Sequence, residues 1–142
     1  MKTLSRVQVE LAFDKAIADR NVNAVEELLP QMLKIKPKGL FQAIENADIQ
    51  CVRLLVKSGI SLESRFRGGT PLLHAIFELS EIEPLQYQKG DIENLLEIIN
   101  YLLDQGADIN ACAPDGTSVG HLASCLRNKD IENKLIRMKA VS

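Results

Sequence analysis

Apolar residues recur at helical spacing over most of the chain, and polar turn residues interrupt them at regular places. Val9, Phe13, Ala16 and Ile17 share one face of a helix, and Asn21 or Asn23 can cap a second helix carrying Val25, Leu28 and Leu29. Pro30, Pro37 and Gly39 mark an irregular connection before Leu40 to Glu45 forms the next helix. Asp48 then caps a helix bearing Ile49, Val52, Leu54 and Leu55, which Gly59 closes. His74 and Ala75 lie on a further helix that Pro84 must end, because proline removes a donor and clashes with the preceding turn. Asp91-Ile92-Glu93 restarts helix, and a short final helix runs over Asn133 to Ser142. The pairs Asp48-Ile49, Asp91-Ile92 and Asp130-Ile131 stand in corresponding places and read as N-caps.

The stretch from Leu102 to Ala123 organises the rest. Leu102 and Leu103 end a helix, Gly106 closes it, and Asp108 to Asn110 runs extended. Pro114-Asp115-Gly116 is a turn, after which Thr117 stands where a hydroxyl can accept from the free N–H groups of a new helix. An earlier copy repeats it. Leu54 to Glu63 parallels Tyr101 to Asn110, and Gly68-Gly69-Thr70-Pro71-Leu72-Leu73-His74-Ala75 parallels Asp115 to Leu122.

On these residues the chain resembles the ankyrin-repeat proteins, whose repeat of about 33 residues carries a β-turn, two helices and a T-P-L-H-x-A signature. Thr70-Pro71-Leu72 fits that signature, whereas His74 sits one place later than the pattern puts it. Gly106 to Ala111 fits the start of the family's finger without departure. The resemblance implies an all-α solenoid of about four helix-turn-helix repeats with short finger turns and atypical terminal repeats. Approximate repeats are 5–38, 39–67, 68–114 and 115–142, all within a single domain covering 1–142. Ala16, Ala43, Ala75 and Leu122 are taken as equivalent, so the first finger is reduced and the third repeat is lengthened by about 15 residues. That insertion falls in Phe77 to Gly90, rich in Glu, Gln and Pro, and is expected outside the core, with Leu85 and Tyr87 available to a partner.

Composition narrows the class: 142 residues, 46% hydrophobic and 25% charged, suit one globular unit. A formal charge of −2 gives no general pull toward nucleic acid. No apolar run approaches the roughly 20 residues that span a bilayer, and the amino terminus lacks the apolar segment of a secretory signal. Cys51, Cys112 and Cys125 form an odd set without a C-x-x-C pair, which points to thiols in a reducing compartment, hence the cytoplasm.

Candidate chemistry is thin. His74 and His121 are read as one repeat position, about 10 Å apart as packed helices would hold them, each bonding to finger backbone. Cys112, His121 and Cys125 fit none of the usual zinc spacings. Neither a nucleophile elbow nor a phosphate loop is present, so no cofactor, metal or catalytic residue is expected. Glu78, Glu81 and Glu83 read as a solvated cluster.

What remains is a binding surface made of fingers and first helices. Carried over from the family position by position, its contact residues are Arg65, Phe66 and Arg67 in one finger and Ala113, Pro114 and Asp115 in the next. Glu45, Asn46, Phe77, Glu78 and Ser124 complete the set. Arg65-Phe66-Arg67 is expected to be a hot spot for an acidic protein partner, since an aromatic between two guanidinium groups joins apolar area to planar donors. The alternative is that Phe66 folds back onto the neighbouring finger while both arginines pair with glutamates. A free-standing monomeric adaptor and an immunity-type inhibitor of a cognate toxin or enzyme both fit.

Overall fold

The structure, a computed structural model, describes residues 5–32, 35–85 and 89–141. Among these residues it is built of eight α-helices: α1 (Arg6–Ala18), α2 (Val22–Leu28), α3 (Pro37–Glu45), α4 (Ile49–Lys57), α5 (Pro71–Ile82), α6 (Lys89–Asp104), α7 (Val119–Ser124) and α8 (Asp130–Val141). Consecutive helices pack in pairs, α1 on α2 through to α7 on α8. The pairs stack, so that α1, α3, α5 and α7 form one row and α2, α4, α6 and α8 the other. One contiguous core runs between the rows from Phe13 to Leu135.

Caps fix where each helix begins. Asn21 accepts from the Ala24 N–H, Asp48 from Cys51 and Thr70 from Leu73, each such cap being worth about 1 kcal/mol. Arg20 and Ala47 both take left-handed backbone (φ 58° and 53°) just before the caps of α2 and α4. There the N–H groups of Asn21 and Asp48 reach back to the carbonyls of Ala16 and Ala43, so one turn geometry is used twice.

Four expectations change here. Ser118, not Thr117, caps α7, accepting from the His121 N–H, because Thr117 gives its own N–H to Asp115 Oδ1 at 2.9 Å. The register of the last helix pair therefore moves by one, and the fully buried equivalent of Ala75 is Ala123, not Leu122. His121 then falls on the signature histidine position and His74 does not share it. Of the three Asp-Ile pairs only Asp48 is an N-cap, since α6 already starts at Lys89 and Asp130 is the first residue of α8; Asp91 and Asp130 sit in the first turn, where the helix dipole favours an acid. Pro37 opens α3 instead of interrupting it, while Gly39 lies inside α3, where an added Cβ would come within 3.0 Å of Ile17 Cδ1. α1 and α3, neighbours in one row, approach closely at that glycine.

The insertion also departs from expectation. α5 runs on to Ile82, and Leu79 is completely buried. Glu83, only 7% exposed, accepts from the backbone N–H groups of Arg127 (2.8 Å) and Asn128 (3.0 Å) in the turn between α7 and α8. The first half of Phe77 to Gly90 thus belongs to the core and bridges two helix pairs. Leu85 is exposed, and Tyr87 lies outside the described residues.

Candidate functional site

Two fingers rise beside the first-helix row. At the tip of the first, Arg67 (φ 54°) and Gly68 (φ 85°) make a left-handed two-residue turn closed by mutual backbone bonds between Phe66 and Gly69, the geometry of a tight hairpin. A Cβ on Gly68 would lie 2.6 Å from the Pro114 ring, so the two fingers touch here and glycine is required for both reasons. Arg65 locks them together, its Nη1 donating to the carbonyls of Gly68 (2.7 Å) and Cys112 (2.9 Å). Glu63 adds a second tie by accepting from the Asp108 N–H.

Between these fingers and helices α3, α5 and α7 opens a cavity of about 410 Å3. Glu45 reaches it from the end of α3, Phe66 and Arg67 from the first finger, His74, Phe77 and Glu78 from α5, and Asp115 from the second finger. A continuous set of contacts forms its wall. Arg67 lies over the Phe66 ring at 5.2 Å, Phe66 packs against the buried Phe41 at 5.3 Å, and His74 meets Phe41 edge-on at 5.2 Å. His74 Nε2 is 3.0 Å from Glu45 Oε1 and 4.0 Å from Glu78 Oε1. Burial pushes the Glu78 carboxyl above its ordinary range; His74 counters this, while Glu45 and Glu81 add to it. The Thr117 hydroxyl and N–H hold the exposed Asp115 carboxyl below its usual range.

Of the expected contact residues, Glu45, Phe66, Arg67, Phe77, Glu78, Ala113 and Asp115 converge on this cavity. The others are engaged elsewhere. Arg65 is committed to the two finger carbonyls, Asn46 donates to the Ile17 carbonyl at 3.1 Å, and Ser124 Oγ donates to the His121 carbonyl within its own helix. Pro114 packs on Gly68. The fold-back alternative for the arginine finger is met only in part: Phe66 folds back, but onto α3, and Arg65 bonds to carbonyls rather than to glutamates. His74, read from sequence as bonding to finger backbone, instead faces two carboxylates, and its displacement from the signature position is the sequence signal for this. His121 is exposed.

The donors that could hold a metal are also different ones. Glu45, His74 and Glu78 bring ligand atoms within 4.8 Å of one another, whereas Cys112 and Cys125 are exposed free thiols.

The ankyrin-repeat family model matches residues 67–114. These residues carry an ankyrin repeat. The matched stretch starts at the finger tip and takes in α5, α6 and the second finger as far as Pro114, so the family's own repeat supplies much of the cavity wall. Ankyrin repeats are protein-interaction modules and typically do no chemistry of their own. No curated protein matches the sequence. Among the described residues, no helix is long and apolar enough to cross a membrane.

Proposed function

We propose that the chain is one domain of four repeats, near residues 5–38, 39–67, 68–114 and 115–142, that holds a partner protein in the groove between its fingers and first helices. It acts by binding, not by catalysis, and as a monomer in isolation. The observation that carries this reading is Phe77, a phenylalanine 47% exposed at the edge of a cavity that two fingers and three helices enclose. An aromatic in such a setting gains from being covered, and aromatic and arginine side chains dominate interface energetics. Arg67, exposed and stacked on Phe66, is the guanidinium available to a partner carboxylate, now that Arg65 serves the fingers. Three free thiols fit a reducing compartment, which favours the cytoplasm.

Photo-crosslinking tests this. A crosslinking phenylalanine analogue at position 77 should capture a partner in the native host, and the same analogue at Ile136, 59% exposed on α8, should not. No product from position 77, or equal products from both, would refute the reading. A single tightly held partner marks an inhibitor, and several weakly held ones mark an adaptor.

A further inference from the structure

We propose that the groove takes a basic side chain of the partner, an arginine or lysine, between Phe77 and the carboxylates of Glu45 and Glu78. The inference rests on the groove being the partner face and specifies what enters it. Charge is the first argument. Among the described residues, three carboxylates, those of Glu45, Glu78 and Asp115, line the cavity against the imidazole of His74 and one guanidinium, that of Arg67, which already lies over Phe66. An acidic side chain entering here would meet the three carboxylates, and a phosphate backbone would fare worse.

Hydrogen-bond bookkeeping is the second argument. A single ring nitrogen carries at most one N–H, and His74 Nε2 is within bonding distance of Glu45 but 4.0 Å from Glu78. Glu78 is thus drawn toward His74 without a bond from it, while burial and the charges of Glu45 and Glu81 all weigh against its ionised form. A cation seated between the two carboxylates would relieve this. The ligand oxygens of Glu45 and Glu78 lie within 4.8 Å of each other, close enough for one planar guanidinium to donate to both, or for one ammonium to bridge them.

Shape is the third argument. Phe77 leaves nearly half its surface open beside these carboxylates, and a cation over an aromatic face is attracted by the ring's quadrupole, more so where water is partly excluded. The volume, about 410 Å3, is that of a site for a side chain and its neighbours rather than for a whole helix. A partner segment with a basic residue in the cavity and an acidic one against Arg67 would satisfy both signs.

The test uses the full chain, labelled with 15N, at low ionic strength and with a chelator present, because exposed charge pairs are screened by salt. N-acetyl-arginine methylamide and N-acetyl-lysine methylamide are titrated in. Their controls are the norleucine analogue, apolar and of similar length, and the glutamate analogue. The basic probes should give saturable amide shifts at His74, Phe77 and Glu78, with a Kd on the order of 1 mM, as befits one side chain. The controls should give none. Glu45→Gln and Glu78→Gln should each weaken the arginine probe at least about threefold while the rest of the spectrum stays that of the folded chain.

Equal shifts from norleucine, no shift from arginine, or undiminished affinity in both variants would overturn the proposal. So would Zn2+ added without chelator if it shifted the same amides at micromolar concentration and excluded the arginine probe, since the cluster would then be a divalent-ion site. A partner crosslinked at position 77 with no response to the basic probes would sink this inference alone. Absence of any crosslink would sink the reading of the groove.

Discussion

Glu83→Ala is the change that most directly separates a structural insertion from a decorative one. The side chain is 7% exposed and its two oxygens accept from the N–H groups of Arg127 and Asn128 at 2.8 and 3.0 Å. Hydrogen bonds to a charged group contribute about 1.5–3 kcal/mol each in favourable settings. Arg127 is exposed and Asn128 half-exposed, so water can reach the two N–H groups once the carboxylate is gone. This places the loss at the lower end, about 3 kcal/mol for both bonds together. Glu83→Gln keeps one acceptor oxygen and turns an amide NH2 toward the other N–H, so it should cost about 1–2 kcal/mol. Urea denaturation gives both numbers. Hydrogen exchange supplies an independent one, because the Arg127 and Asn128 amides should lose protection in either variant while the amides of α3 and α4 do not. A solvated glutamate on an outlying loop would change stability by less than about 0.5 kcal/mol. That result for Glu83→Ala, with unchanged exchange at both amides, would refute the bridge.

Further expectations follow from burial and charge. Leu55→Ala and Leu102→Ala each delete a fully buried second-row leucine and should cost about 2–5 kcal/mol, read from denaturant midpoints; unmoved midpoints would contradict the helix register. Cys51 is completely buried and its thiol is pushed up to about 12, first by burial and then by Asp48, so a thiol reagent should modify the exposed Cys112 and Cys125 rapidly and Cys51 only on unfolding. Three thiols reacting at one rate in the native protein would be the wrong outcome. Glu78 holds its proton more tightly folded than unfolded, so its contribution is fully present below the ordinary carboxylate pKa and is lost as pH rises through the raised folded value. Glu78→Gln should therefore raise the melting temperature relative to wild type at pH 7 and leave it level near the acid end; the opposite ordering would mean that His74 outweighs burial.

Local signals carry most of the fold. The apolar stripe of α1, the caps at Asn21, Asp48 and Thr70, and the left-handed glycines Gly59 and Gly106 (φ 103° and 94°) are all legible within a few residues of sequence. At Thr117-Ser118 two adjacent hydroxyls compete for one cap, and the choice is made by Asp115, which takes the Thr117 N–H into the preceding turn. The insertion escapes a sequence reading for a different reason. Leu72, Ile76 and Leu79 continue one buried stripe along α5, a pattern visible in the sequence, but the family's repeat length draws the boundary too early. Pro84 does stop the helix, two residues beyond Ile82. No local pattern shows that Arg65 reaches the Cys112 carbonyl, a contact 47 residues away, or that Glu83 finds Arg127 and Asn128.

The long α5 connects stability to the groove. α3 ends at Glu45, and Asn46 turns away to bond the Ile17 carbonyl. In the next pair the chain instead stays helical through Ile82, which holds Glu78 one turn beyond His74 so that both face Glu45. Residues at i and i+4 share a helix face only while the helix lasts. Had α5 stopped where α3 does, Glu78 would lie in a turn and the cluster of one imidazole and two carboxylates would not form. Leu79 anchors this extra length in the core and Glu83 ties its end to the last helix pair. The same residues that lengthen the repeat therefore fix the side chains that line its groove, and loosening Glu83 should loosen the groove with it. The position-77 crosslink and the arginine titration, repeated on Glu83→Gln, measure that coupling: a weaker response with the groove residues unaltered is the expected outcome, and an identical response would show the two features to be independent.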